Sequence, residues 1–440
     1  MVIHCQKITF YNMEILFNSK PNDTEQGLEE LNSFFNRENS LKDLKVDEIV
    51  DIFDHISKFL TSKQCDVKDL IIENDLGFII LWLKKKSITK NLKLNFENYT
   101  VLDNPQALDN ENLIYARPLG CAVHWIAGNV PVLGVISLFQ TLLTKNKGVV
   151  KVPAVFKEIL PKILNSIKQT SYFNEDISKK INYMLDAIIV IYITKDNKEM
   201  QTYISQNADI RIAWGGLEAM EEISSLPKKI NTRDIIFGPK LSLSYITKKA
   251  INPIELNEIA KGIADDVFAF NQAGCNAPHN IVIKNKIDFP LNDFCHSLTE
   301  EFSKKAKTSP IKNDEITNFN ILTKKFIHQS QEALDLLQGP DNQWNIFMNN
   351  KELKQLEPPL YSRNIFISFI DSTLDLGKIL PSNVQSVGLL TDEVEKLETI
   401  KILSNFGVDR FPSIGKMSLY QNPWDGYLPL HQTVKWISTN

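Results

Sequence analysis

The sequence lacks the motifs that most often mark nucleotide and metal sites. Neither GxGxxG nor GxxxxGK[ST] occurs in the 440 residues, so the usual Rossmann and P-loop phosphate turns are absent. The 5 cysteines stand at irregular positions without a CxxC pair, which argues against both a disulfide framework and a zinc knuckle. No metal site is therefore predicted. A reducing, cytoplasmic setting fits this cysteine usage best.

The chain also has no basic excess, since its formal net charge is −4 and its pI is about 6.1. That balance argues against nucleic-acid binding. No charged residue occurs from Pro118 to Thr144, a run long enough to span a membrane. The run contains His124, Asn129, Pro131 and three glycines, so it predicts a buried strand, a loop and a buried helix instead. Polar residues interrupt the apolar N-terminus, and no signal peptide is expected.

The order of apolar segments predicts an α/β protein of two domains. Helical spacing occurs at 41–60 and 67–85, residues 91–104 are polar enough to predict a linker, and 22–39 predicts a solvated connection or a loose helix. Strand and helix patterns then alternate from residue 116 to about 403, which predicts a parallel sheet covered by helices. Short strands are expected within 2–17 and an edge strand at 433–437. In such sheets, ligands bind beyond the carboxyl ends of the strands.

Cys275 is the first candidate for chemistry. The stretch from Asp266 to Asn280 predicts a helix end, a tight loop carrying the thiol, and then a strand. A partly exposed thiol near backbone N–H groups has the setting that lowers a thiol pKa. A buried structural cysteine is the alternative, because free cysteines are among the most buried residues.

Three further features favour a binding site, each with an ordinary structural alternative. Asn129 could donate to a developing oxyanion or cap a helix. Lys151 could contact a ribose or phosphate, or be solvated. Trp214-Gly215-Gly216 precedes a helix and could hold a phosphate or form a plain tight turn. Structural roles are favoured for the remaining candidates, which are His124, His279 and Cys295.

Taken in order, four motifs resemble one known family. They are His124-Trp-Ile-Ala-Gly-Asn-Val-Pro-Val-Leu-Gly, Ala213-Trp-Gly-Gly, Phe237-Gly-Pro-Lys-Leu-Ser and Asn271-Gln-Ala-Gly-Cys. They are similar to the long-chain acyl-CoA (fatty acid) reductases of bacterial luminescence systems, the LuxC family of the aldehyde dehydrogenase superfamily. The resemblance runs from about residue 116 to the C-terminus and includes the segment that begins at Asp425.

This resemblance implies an aldehyde dehydrogenase-like fold and a thioester mechanism. Cys275 would be the nucleophile, and Asn129 with the Cys275 backbone N–H would stabilise the oxyanion. Lys151 would contact the adenosine ribose, and the Gly215-Gly216 turn would meet the pyrophosphate. Trp214 and Gly238 are assigned to the same cofactor site. His279, four residues after the thiol, could add positive potential.

Two positions depart from the superfamily pattern. Hydrolytic members carry a general-base Glu where this chain has Ile236, which favours release of an aldehyde over hydrolysis. NAD-preferring members often carry a Glu where this chain has Ala154, and its loss removes repulsion against a 2′-phosphate. NADPH is therefore the predicted cofactor.

The prediction is a nicotinamide-cofactor domain at 41–246, completed by part of a 412–440 tail, and a catalytic thiol domain at 247–411 after a variable segment at 1–40. The predicted reaction is reduction of an acyl-CoA or acyl-adenylate to a fatty aldehyde with NADPH. Alternatives are a reductase of a short or functionalised acyl group in a biosynthetic cluster, or a non-catalytic subunit of an acyl-synthetase complex. An acyl-protein synthetase partner and a homo-oligomer are both allowed.

Overall fold

The structure is a computed structural model that describes residues 13–18, 24–248, 251–285, 287, 289–330 and 334–439. Its strands are β1 Met13–Phe17, β2 Gln106–Ala107, β3 Leu113–Pro118, β4 Cys121–Trp125, β5 Lys147–Val152, β6 Ile188–Ile193, β7 Ile210–Trp214, β8 Arg233–Phe237, β9 Leu241–Ile246, β10 Pro278–Lys284, β11 Leu334–Gln338, β12 Asn345–Glu352, β13 Asn364–Ile370, β14 Val384–Leu390 and β15 Val434–Thr439. Its α-helices are α1 Thr24–Asn36, α2 Val46–Thr61, α3 Lys68–Glu73, α4 Gly77–Trp82, α5 Lys85–Phe96, α6 Pro131–Leu143, α7 Ile159–Gln169, α8 Glu175–Asp186, α9 Lys198–Asn207, α10 Leu217–Ser225, α11 Pro253–Phe268, α12 Leu291–Thr308, α13 Glu315–Ser330, α14 Thr373–Ile379, α15 Glu393–Ser404 and α16 Pro429–Gln432.

The chain forms two compact units, one of residues 1–238 with 427–440 and one of residues 239–426. The sequence predicts the ends of the two domains at residues 246 and 411 instead. Strand β9 was therefore expected in the first unit, but it pairs with β10 and β14 in the second. Residues 412–426 likewise belong to the second unit, and the tail that completes the first unit begins at Tyr427.

The first unit contains a sheet of order β1-β6-β5-β4-β7-β8, parallel except for the antiparallel edge strand β1. The uncharged run forms β4, a loop and α6, and β4 is buried along its whole length. Helix α6 has only 13 residues, and no helix in the described residues is long and apolar enough to span a membrane. The prediction of a buried strand, loop and helix is confirmed.

A small sheet of order β15-β3-β2 receives the end of the chain. Strand β15 pairs antiparallel with β3, from Val434 opposite Pro118 to Thr439 opposite Leu113. The prediction of an edge strand in the tail is confirmed. Near the start of the chain, residues 2–12 and 22–23 lie outside the described residues. Strand β1 and helix α1 fall within the two segments predicted there.

The predicted linker at 91–104 is wrong in its first half, because α5 runs from Lys85 to Phe96. Its buried residues Ile88, Leu92 and Phe96 recur at a spacing of four. The lysines and asparagines between them made the segment polar on average and masked this stripe. The single helix expected at 67–85 is instead α3 and α4, which are separated by a turn where Asp75 has φ 54°.

The second unit contains a sheet of order β11-β12-β13-β10-β9-β14, parallel except for β11 against β12. Helices α11 and α12 pack on it through a cluster that includes Ile263, Leu298 and Phe302. The predicted helix at 253–269 is α11. Asn252 caps it reciprocally with Glu255, since each side chain accepts from the other's backbone N–H at 3.0 and 3.2 Å.

Two phenylalanines offer a matched test of this core. Phe302 is 0% exposed and meets the rings of Phe268 and Trp344 edge-on, whereas Phe326 on α13 is 71% exposed. Phe302→Ala should lower the free energy of unfolding by about 3–5 kcal/mol. Phe326→Ala should change it by about 0.5 kcal/mol or less. Urea unfolding followed by circular dichroism measures both, and equal losses would contradict the packing described.

Candidate active site

The first sheet reverses its strand order between β4 and β7. From β4 the chain adds β5 and β6 on one side and then β7 and β8 on the other. Ligands of open parallel sheets bind beyond the carboxyl ends of the strands at such a reversal. The predicted residues of this unit stand at the carboxyl ends of four neighbouring strands: Lys151 in β5, Asn129 after β4, Trp214, Gly215 and Gly216 at the end of β7, and Gly238 after β8. The fold therefore gathers them at one edge.

Asn129 lies in the exposed connection between β4 and α6. Helix α6 begins at Pro131 with Val130 as its N-cap, and no side chain caps it. Asn129 therefore does not occupy the N-cap position of this helix. A side-chain amide at this strand-to-helix turn is a donor of the type that stabilises an oxyanion.

Lys151 is a partly buried cation without a hydrogen-bond or ion-pair partner in the described part of the chain. Burial lowers the pKa of its ammonium group because the charged form loses hydration. Lys147, four residues earlier on the same strand, differs in that its ammonium donates to the carbonyls of Phe34, Phe35 and Arg37 at 2.8–3.1 Å. The ammonium group of Lys151 is thus partly shielded from water and has no anion beside it in the described residues.

The turn after β7 combines an open glycine with an unpaired indole. Gly216 is the N-cap of α10, and a Cβ built there would meet no described atom within 4 Å. Trp214 stacks on Phe237 with ring centroids 3.8 Å apart. Its indole N–H is buried and lacks an acceptor among the described residues. The backbone at this helix N-terminus is accessible to a phosphate group.

In the second unit, Cys275 follows a backbone held in an unusual conformation. Phe270, Asn271 and Gln272 have φ of 49°, 51° and 67°, in the left-handed region. Gln272 is fully buried, and its side chain donates to the carbonyls of Pro278 and Asn364 and accepts from the Asn364 N–H at 2.7–2.9 Å. The Asn271 side chain accepts from the Arg363 guanidinium at 2.7 and 3.1 Å. These bonds fix the turn from which the thiol loop begins, between α11 and β10 as predicted.

The Cys275 residue is partly exposed, while its sulfur is enclosed by polar side chains. Its carbonyl accepts from Ser242 Oγ at 2.8 Å. Gln385 and its own backbone N–H hydrogen-bond the thiol group, with Asp425 and Arg410 nearby. Asn276 donates to the Met417 carbonyl at 2.8 Å, which ties the segment that carries these two charged residues to the thiol loop.

The expectation of a lowered thiol pKa is wrong. Burial is the largest cause, and together with the negative charge of Asp425 it raises the pKa of Cys275 to about 12. The hydrogen bonds from Gln385 and the backbone and the charge of Arg410 act in the opposite direction but are outweighed. At neutral pH the group is therefore a thiol, and forming the nucleophile requires a proton acceptor.

The remaining single candidates are structural. His124 is fully buried against Ser137 and Thr141, and burial lowers its pKa to about 3. Burial also lowers the pKa of His279 to about 4, so its imidazole is neutral and adds no positive potential. Cys295 packs in the core as expected. No group of three His, Cys, Asp or Glu side chains among the described residues could hold a metal ion.

Sequence reasoning missed the side chains around the thiol. Gln385 comes from β14, Arg410 from the segment after α15, and Asp425 from just before the tail. None of these three residues lies in a motif that predicts a role at the thiol. Asp425 opens a segment that carried the family resemblance, and this was the one available signal. Their sequence distance from Cys275 exceeds 100 residues in every case, so only the fold reveals the cluster.

Comparison with solved structures defines the class. The chain matches an NAD-dependent aldehyde dehydrogenase from Sinorhizobium meliloti with a TM-score of 0.66 at 11% identity, covering 94% of this chain and 86% of that one. It also matches a glyceraldehyde-3-phosphate dehydrogenase from Methanocaldococcus jannaschii complexed with NADP, with a TM-score of 0.65 at 13% identity, covering 96% and 95%. The predicted fold class is confirmed: the chain has an α/β fold of the aldehyde dehydrogenase type.

Sequence comparison identifies the family. The model "Acyl-CoA reductase (LuxC)" matches residues 41–436. Among curated proteins, the long-chain acyl-protein thioester reductases of Photorhabdus luminescens and Aliivibrio fischeri are 26% and 25% identical to this chain. These alignments cover 75% and 74% of this chain and about 65% of each relative's length. The chain belongs to the LuxC acyl-CoA reductase family, which confirms the resemblance.

The two lysines of β5 predict opposite effects on stability. Lys151→Met removes a buried charge without a partner, so unfolding free energy should stay within about 0.5 kcal/mol of wild type or rise. Lys147→Met leaves the carbonyls that this lysine binds without a donor and should lower the free energy of unfolding by about 2 kcal/mol or more.

The stability of the wild type should also depend on pH. Because folding lowers the pKa of Lys151, the free energy of unfolding should rise as pH increases between the folded and unfolded pKa values, and Lys151→Met should reduce that rise. Denaturant unfolding at several pH values measures both effects, and a large loss at Lys151 would contradict them.

Proposed function

We propose that this protein reduces an activated fatty acyl group, delivered as acyl-CoA or acyl-adenylate, to a fatty aldehyde with NADPH. The observation that carries the proposal is the partly exposed Cys275, held on a fixed loop in a chain of the LuxC family. A buried structural cysteine would not need the polar enclosure of Gln385, Arg410 and Asp425. Two relatives are named long-chain acyl-protein thioester reductases, which also supports the reduction of a thioester.

The covalent step uses the thiol as a nucleophile. Cys275 sulfur attacks the acyl carbonyl, the donor group leaves, and the acyl group is held as a thioester on the protein. The backbone N–H of Cys275 and the side-chain amide of Asn129 stabilise the oxyanion, in the roles that the family resemblance gives them. The loop turns fixed by Asn271 and Gln272 favour this use because a preorganised donor need not be ordered during the reaction.

Two features of the first sheet fit a nicotinamide dinucleotide. Lys151 offers a cation without a partner in the described residues, and Gly216, two residues after Trp214, offers an open helix N-terminus. Lys151 would hold the adenosine ribose, and Gly215 and Gly216 the pyrophosphate, with Gly238 at the same edge. When bound, NADPH supplies the hydride that turns the acyl group into an aldehyde.

The product is assigned as an aldehyde because of one missing side chain. Position 236, where hydrolytic relatives carry a general base, is an isoleucine on β8. The segment from there to Lys240 contains no carboxylate. A water molecule attacking the thioester would therefore lack the base that removes its proton.

Intact-mass analysis with a panel of acyl-CoAs tests the thioester. Wild type should gain one acyl mass that NADPH discharges, and Cys275→Ala should gain none. Cys295→Ala is the matched control, since that thiol is 7% exposed and should leave labelling intact. Asn129→Ala should slow labelling by about 10²–10³-fold. If wild type accepts neither any acyl-CoA nor a synthetic acyl-adenylate, the protein is not an acyl reductase and the role of a non-catalytic synthetase subunit is favoured.

Cofactor choice is tested at Ala154, an exposed residue just after β5. Ala154→Glu should lower kcat/KM for NADPH by about tenfold through repulsion of the 2′-phosphate, and should leave kcat/KM for NADH nearly unchanged. Ile230→Glu adds the same charge at a fully exposed position of the same unit and should change neither. Comparable wild-type efficiencies with the two cofactors would remove the basis for choosing NADPH.

A further inference from the structure

A buried ionisable cluster surrounds the thiol, and the reaction outlined so far does not account for it. Asp425 is 9% exposed, Arg410 is 7% exposed, and Gln385 is fully buried. The Gln385 amide donates to an Asp425 carboxylate oxygen in a short hydrogen bond and also hydrogen-bonds the Cys275 thiol group. One side chain therefore bridges the carboxylate and the sulfur.

Arg410 supplies the positive charge of the cluster and is firmly held. Its guanidinium donates to Ser386 Oγ at 3.2 Å and to the Leu419 carbonyl at 3.0 Å. It also lies 4.3 Å from the centroid of the Trp424 ring. Two acidic groups, Cys275 and Asp425, share this cation. A buried site with one cation tolerates one anion much better than two.

This balance leaves two arrangements of equal net charge. Either Asp425 is a carboxylate and Cys275 a thiol, or Asp425 is protonated and Cys275 is a thiolate. Burial raises the pKa of Asp425 as well as that of Cys275, which brings the carboxylate closer to the range in which it accepts a proton. Groups whose titrations are this closely coupled lose protons as a pair.

The other charged groups that act on the cluster modify this balance without replacing it. Lys240 stabilises the Asp425 carboxylate, and Asp409 disfavours it. Tyr420 acts on Arg410 and stacks on Trp424, with ring centroids 4.5 Å apart. None of these three is among the groups that act on the Cys275 sulfur, where Asp425 and Arg410 are the charged neighbours in the described residues.

We propose that Asp425 is the proton acceptor for Cys275, with Gln385 as the positioning residue that bridges them. The S–H bond breaks, its proton bonds to an Asp425 oxygen, and the electron pair left on sulfur forms the bond to the acyl carbon. The donor group departs with the electron pair of its bond to the acyl carbon and takes up a proton from the solvent. When the aldehyde leaves, the pair returns to sulfur and Asp425 gives the proton back. The acyl step rests on the proposed function, whereas the shared proton does not.

The test is the pH dependence of Cys275 alkylation by iodoacetamide, followed peptide by peptide from about pH 5 to pH 10. A shared proton makes the thiolate fraction independent of pH between the two pair pKa values. Wild type should therefore show a plateau that begins above the pH at which the pair loses its first proton. Asp425→Asn should show none, and its rate should rise about tenfold per pH unit. Asp409→Asn removes a neighbouring carboxylate that does not act on the sulfur, and it should keep the plateau.

A wild-type profile without a plateau would overturn the proposal even if Asp425→Asn failed to fold. So would an Asp425→Asn profile of unchanged shape. In the acyl-CoA assay at pH 7, Asp425→Asn should form the acyl-enzyme about 10²-fold more slowly than wild type. If wild type accepts no acyl group from any donor, the proposed function fails, and the alkylation profile still decides whether Asp425 and Cys275 share a proton.

Discussion

The position of the thiol depends on two left-handed turns that hydrogen-bond to each other. Residues 270–272 form one, and residues 361–363 form the other, with φ between 49° and 67° at these six non-glycine positions. Each such residue costs about 1–2 kcal/mol. The Ser362 N–H donates to the Asn271 carbonyl at 3.1 Å, and Arg363 binds the Asn271 side chain. The strain is offset by these bonds and by the buried hydrogen bonds that the Gln272 side chain makes with Pro278 and Asn364.

The two units present different electrostatic problems. At the edge of the first sheet, Lys151 is a cation without an anion in the described residues. Around Cys275, two acids compete for the single guanidinium of Arg410. An unpaired buried charge favours binding of the opposite charge, whereas a crowded acidic cluster favours holding a proton. The first arrangement suits recognition of a phosphorylated cofactor, and the second suits transfer of a proton to and from sulfur.

Sequence patterns predicted the alternation that makes the sheets, because apolar strands such as Ile188–Ile193 stand out from the helices around them. They failed at α5, where a buried stripe at every fourth residue is diluted by lysine and asparagine. They placed β9 in the wrong unit because strand pairing is long-range and leaves no local mark. Motifs led to Cys275, Lys151 and the glycine turn. The environment that sets the thiol pKa comes from Gln385, Arg410 and Asp425, and no local pattern predicts which distant side chains will surround a loop.

The missing glutamate at position 236 and the carboxylate of Asp425 both bear on which reacting group has a base beside it. A base that faces a water molecule directs a thioester toward hydrolysis, since it removes the proton of the attacking water. A base that is bridged to the sulfur would instead take the proton from the thiol and return it to the thiolate that the acyl group leaves behind. In the proposed reaction, a chain without the first base and with the second would have its proton transfers concentrated on sulfur, so the acyl group would be taken up and released without a base for hydrolysis. Burial raises the pKa of Cys275, and the negative charge of Asp425 adds to this effect as long as the carboxylate is ionised.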